Sequence, residues 1–79
     1  MNGVVTQLKP RGFIAEMDSP TDGMEPGTRF QIYRVVDGGE VVVGTGVSRK
    51  AMPPSSLKVN PDGSEPLGEV QVGDLVRSV

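Results

Sequence analysis

Apolar and polar residues alternate most clearly between Thr28 and Val47. Phe30 and Ile32 fall on one side of the first run, Arg29, Gln31 and Tyr33 on the other. That two-residue period is what a half-buried strand requires, because successive side chains point to opposite faces. Asp37-Gly38-Gly39 follows, a cluster that accepts positive φ and suits a tight hairpin. Glu40 to Val47 then forms the second arm, with Gly44 and Gly46 predicting a bulge or a sharp bend. The pattern predicts a central hairpin over Thr28–Val36 and Glu40–Val47.

Shorter segments surround it. Gly3–Leu8 reads as a strand, and Lys9-Pro10-Arg11-Gly12 as a type I turn with Pro second and Gly fourth. Phe13–Met17 is a second strand with Phe13, Ala15 and Met17 on one face. Asp18–Gly27 holds Ser-Pro, Asp-Gly and Pro-Gly signals and predicts an ordered loop. It ends in the type II chemistry of Glu25-Pro26-Gly27-Thr28. Ser48–Pro54 is expected to be a loop, Ser55–Val59 a short strand, Asn60–Gly68 an exposed, mobile loop, and Leu75–Val79 the last strand. A weak internal echo links Met24–Phe30 with Val70–Val76: each places a glycine just before a strand.

Composition sharpens this picture. Of 79 residues 28 are apolar and 13 of these are Val, whose branched Cβ favours the pleated sheet over the helix. Eleven Gly and seven Pro leave no uninterrupted window of helical length. The expected class is all-β: one domain over residues 1–79, a small SH3-like barrel of five to six short antiparallel strands, with an OB-like barrel as the alternative. Without Cys or His, disulfides and the common zinc sets are excluded.

Net charge is −2 and pI about 4.9. The chain shows neither the basic balance nor the basic stripe of a nucleic-acid binder, so none is expected as a partner. No apolar run is long enough to span a membrane. Met1-Asn2 leads into a strand without a basic-then-apolar leader, so the expectation is a cytosolic chain or a piece excised from an exported parent.

Further signals run along nearly the whole chain. Gly3-Val4-Val5 opens it, Gly23 to Arg34 reads Gly-x-x-Pro-Gly-x-x-Phe-x-Ile-Tyr-Arg, and small-residue strands follow around Val43–Val47. Val70-Gln71-Val72-Gly73-Asp74-Leu75-Val76 closes it. This order resembles the SH3-like C-terminal domain of flagellar assembly protein T and similar bacterial envelope modules. The resemblance implies an interaction or structural part of a larger assembly, with no catalytic residues to carry over. Gly3-x-Val5 followed by Gly12-Phe13-Ile14 also resembles the first two strands of the cold-shock barrel. Gln7 and Leu8, however, stand where that family has base-stacking aromatics.

The candidate binding residues are two groups. Arg29, Tyr33 and Arg34 are expected on the outward face of the central strand, as guanidinium forks around an aromatic. Arg49, Lys50 and Met52 belong to the most basic, Pro-rich loop, the one expected to carry recognition if any loop on the barrel does. Oxygen donors cluster at Asp18/Asp22 and at Asn60/Asp62/Glu65, but Pro20 and Pro61 interrupt the spacing and such residues usually cap turns. No metal or cofactor is expected. Ser55, Ser56 and Lys58 are the nearest approach to a nucleophile–base set, and Ser56 and Lys58 merely alternate along a strand, so no enzyme is expected. The reading is a non-catalytic protein-interaction or architectural module. A self-assembling subunit such as a phage capsid decoration protein is the alternative, and OB-like single-stranded nucleic-acid binding a second one.

Overall fold

A computed structural model describes residues 1–62 and 69–79 of the chain. Six strands form it: β1 (Asn2–Lys9), β2 (Gly12–Met17), β3 (Arg29–Val36), β4 (Gly39–Met52), β5 (Ser56–Pro61) and β6 (Leu75–Ser78). They close into an antiparallel barrel in the order β1-β2-β5-β4-β3-β6, so the small closed barrel expected from the valine-rich runs is what the chain builds. Three hairpin-connected strands, β3, β4 and β5, are followed by β6, which lies beside β3. That connectivity is a Greek key. No helix among the described residues is long and apolar enough to cross a membrane.

The inward positions follow the sequence alternation. Val5, Phe13, Ala15, Met17, Phe30, Ile32, Leu57, Val59 and Val76 are buried and form one core, flanked by Met24, Val43, Ala51 and Val70. Fully burying a side chain of this size contributes about 1.5–3 kcal/mol. Three glycines, Gly3, Gly12 and Gly46, are fixed by close approach. At Gly12, with φ 155°, an added Cβ would collide with the Val59 carbonyl. At Gly46 it would lie 2.6 Å from Val59 Cγ1 and 2.9 Å from the Asn60 carbonyl. The expected bend therefore falls where β4 crosses the core, and a register shift opposite Ile32/Tyr33 adds a bulge beside Gly44.

The turn between β3 and β4 is shorter than the three-residue cluster suggests. Val36 pairs with Gly39, leaving Asp37 (φ 51°) and Gly38 (φ 79°) as a two-residue loop with both central residues left-handed. This is the type I′ geometry that matches strand twist. The internal echo also has a structural counterpart. Gly27 N–H donates to the Ser48 carbonyl and Ser48 N–H to the Thr28 carbonyl; Gly73 N–H donates to the Val5 carbonyl and Val5 N–H to the Asp74 carbonyl. Both corners use a positive-φ glycine to clip the chain to a neighbouring strand before it enters β3 or β6.

Two expectations are corrected. Arg49 to Met52 lie within β4 and not in a loop, because Ser48, Lys50, Ala51 and Met52 all pair with β5. A bulge at Arg49 absorbs the register change, and only Pro53, Pro54 and Ser55 turn the chain, with a cis bond between the two prolines. Of the loop expected over Asn60–Gly68, Asn60 and Pro61 belong to β5, and residues 63–68, Glu65 included, lie outside the described residues.

Candidate functional site

The barrel leaves two surfaces without an internal use. The first is the far half of the β3–β4 hairpin. β3 pairs with β6 only from Phe30 to Tyr33, and β4 pairs with β5 only from Gly46 onward. The Asp62 amide still donates to the Thr45 carbonyl, so from Arg34 to Gly44 the hairpin is a two-stranded ribbon with both outer edges unpaired among the described residues. Val35, Val36, Val41 and Val42 are each about half exposed on it. Val35 and Val42 share the face of Tyr33; Val36 and Val41 share the opposite face. A groove of about 230 Å³ lined by Arg34, Val41, Val42, Val43 and Glu69 lies at its base.

At that base stands Arg34, which is corrected from the outward face. It follows the parity of Phe30 and Ile32, so it points to the inner side just beyond the core. Its Nε and Nη2 donate to the two oxygens of Asp74 at 2.7 and 2.8 Å, and Nη2 also donates to the Glu69 carbonyl. Asp74 is buried and accepts a further bond from the Gln71 amide. Arg34's hydrogen bonds hold the Asp74 carboxyl below its usual range, against the opposing effect of burial. The pair ties ribbon to barrel.

Tyr33 is outward, as expected, but Arg77 lies over its ring, 4.2 Å from the centroid. The same guanidinium donates to Gln31 and to both oxygens of Glu40. Arg29, also outward, faces Asp62 at 3.5 Å. Sequence reasoning passed over Arg77 and Glu40, whose meeting needs β6 to lie beside β3. The structure does not bring Arg29, Tyr33 and Arg34 into one recognition patch.

The second surface is cationic. Arg29, Arg34 and Arg77 are ion-paired; the other five of the eight cations, Lys9, Arg11, Arg49, Lys50 and Lys58, form no ion pair among the described residues. They come together on the outside of β1, β2, β5 and β4. Lys50 and Lys58 are cross-strand partners, and Lys9 and Gly12 close the first hairpin around Pro10-Arg11. Lys58 Nζ lies 3.0 Å from where a Gly12 Cβ would be, and donates to Asn60 Oδ1 at 2.6 Å. Burial and then the charges of Lys9, Arg11 and Arg49 push the Lys58 ammonium's pKa down. Arg49 and Lys50 are the sequence candidates gathered here; Lys9, Arg11 and Lys58 are gathered by register alone. The stripe absent from the linear sequence is thus present in space. Met52 is exposed at the end of β4, one row away, opposite Ser56.

The remaining candidates are engaged locally. Ser55 and Ser56 donate to the Glu16 carboxylate, which holds its pKa low. The amide of Asn2 and the hydroxyl of Ser19 donate to Asp18, an open groove of about 430 Å³ beside it being lined by Met17, Pro20, Asp22 and Pro54 as well. The molecule is thus a small closed Greek-key barrel with a protruding ribbon and a one-sided basic face. No family model, curated protein or solved structure matches the chain.

Proposed function

We propose that the chain is a non-catalytic interaction module that engages a protein partner through the β3–β4 ribbon. The observation that carries this reading is the placement of four half-exposed valines, two on each face, on a ribbon whose edges are unpaired among the described residues. Contiguous apolar surface of this kind marks interfaces, and an open strand edge accepts a further strand. The resemblance to the SH3-like domain of flagellar assembly protein T and similar envelope modules agrees, since those act as parts of larger assemblies. No catalytic role is proposed: the hydroxyls of Ser55 and Ser56 serve Glu16, and Lys58 serves Asn60.

A self-assembling subunit, such as a capsid decoration protein, is the second reading, favoured by the same open edges because a copy of the chain could pair along them. Light scattering across a concentration series separates the two. A monomer at all concentrations supports a module with a foreign partner, and a stable trimer or larger supports self-assembly. Amide exchange then tests both against the bare fold. Amides of residues 34–44 that face the open edges exchange fast in the dilute chain and become protected in its native assembly. Fast exchange in both states would sink the proposal.

A further inference from the structure

We infer that the outer face of β1, β2, β5 and β4 is a second binding site, one that takes the phosphate backbone of a nucleic-acid duplex without reading sequence. The inference goes beyond the protein-partner reading and does not depend on the ribbon. Lys9, Arg11, Arg49, Lys50 and Lys58 converge there, while every other cation is ion-paired. Directly opposed like charges such as Lys50 and Lys58 oppose folding. A polyanion laid across them reverses that repulsion. Three strand spacings separate β1 from β4, so the face is roughly 14 Å wide.

What covers this face is chosen by what it lacks. A protein partner needs an apolar interface core, and lysine is depleted in such cores. Here the apolar side chains beside the cations are scattered: Ile14 is paired in register with Lys58, Leu8 precedes Lys9, and Val47 and Met52 flank Arg49 and Lys50 along β4, with no continuous apolar core among them. A single strand gains its affinity from bases stacked on aromatic rings. Phe13 and Phe30 are buried, and Tyr33 lies under Arg77 on another face. A duplex needs neither: it presents one negative charge per about 1.7 Å of axis, and cations alone suffice to bind it. Glu16, the next same-face position after Ile14 on β2, stays anionic with Ser55 and Ser56 donating to it, and so bounds the face at that end. The acidic remainder of the chain, net −2 overall, favours docking of a polyanion by this side only.

The experiment titrates the chain with a short labelled DNA duplex, a single strand of equal length, and polyglutamate. If all five cations contact phosphates, the log–log salt slope is about −4.5, a loss of roughly 500-fold between about 50 and 200 mM salt. Lys50→Gln with Lys58→Gln lowers the slope by about 2, whereas Arg29→Gln, outside the face, leaves it unchanged. Should the first pair fail to fold, Lys9→Gln with Arg11→Gln at the exposed hairpin tip carries the same expectation. Tighter binding of polyglutamate would overturn the proposal in favour of an acidic protein segment, and tighter binding of the single strand in favour of an unpaired nucleic acid. Absence of duplex binding at low salt, or binding that ignores these four substitutions, would overturn it outright.

Discussion

One hairpin contains two environments. In its near half, β3 is flanked by β6 and β4 by β5, and Phe30 and Ile32 are completely buried. In its far half the same two strands pair only with each other among the described residues, and valines on both faces are about half exposed. The residue types hardly differ, since both halves are rich in β-branched and other apolar side chains. Neighbours make the difference. A two-stranded ribbon is marginal alone, so the far half is held by its type I′ turn, by continuity with the barrel and by the Arg34–Asp74 pair at the junction.

The largest expected effect tests the near half. Phe30→Ala removes a ring from a filled core and should cost about 3–5 kcal/mol, measured as the shift in urea midpoint at unchanged slope. For a domain this small that is a large share of the total stability. A cost below about 1 kcal/mol would mean that the barrel is not closed around Phe30.

Glycines give the next contrast, within one strand. Gly46→Ala would force a Cβ to 2.6 Å from Val59 Cγ1, and overpacking of this kind costs about 1–3 kcal/mol. Gly39→Ala, in the ribbon, meets nothing nearer than the Val36 carbonyl at 3.7 Å, an ordinary contact. It should be neutral or slightly stabilising, within about 0.5 kcal/mol. Equal effects in the thermal midpoints of the two variants would erase the distinction between the halves.

The junction responds to pH. Asp74 has a depressed folded pKa, chiefly through Arg34's hydrogen bonds. A carboxylate of this kind contributes its full stability above its unfolded pKa, about 3.9, and loses it as pH falls through the lower folded value. Thermal midpoints measured against pH should therefore show Asp74→Asn well below the parent at neutral pH, the gap narrowing progressively below about pH 4. A gap constant with pH would remove the ion pair as the link between ribbon and barrel.

Much of the near half was legible from alternation alone. Alternation places Phe30 and Ile32 on one face of β3 and Phe13, Ala15 and Met17 on one face of β2, and all five are buried. The glycine corners and the Asp-Gly turn carried their own conformational signal. The surfaces were not legible, because they depend on which strands become neighbours. Lys58 meets Lys50 only through the β4–β5 register, and Arg77 meets Tyr33, Gln31 and Glu40 only because β6 inserts beside β3. Arg34 was misplaced because a polar residue at an inward parity reads as a surface residue until its partner, distant in sequence, is known. Arg49–Met52 read as a loop because charge and the following prolines hid a strand that β5 completes.

The smallest stability effect is the sharpest test of the far half. Val35→Thr with Val42→Thr keeps the branched Cβ and the β preference while replacing a methyl by a hydroxyl. Both side chains are already more than half exposed, so little buried area is lost and the stability change should stay within about 0.5 kcal/mol. Protection of the ribbon amides in the native assembly should nevertheless fall, because exposed apolar surface acts through a partner that covers it. The companion pair, Val36→Thr with Val41→Thr, probes the opposite face. Loss of protection in only one pair would assign the partner to that face, and loss in both would mean that the ribbon is inserted between two surfaces. If neither pair changes protection while Phe30→Ala unfolds the chain, the valines are inert and the ribbon is only the end of a long hairpin.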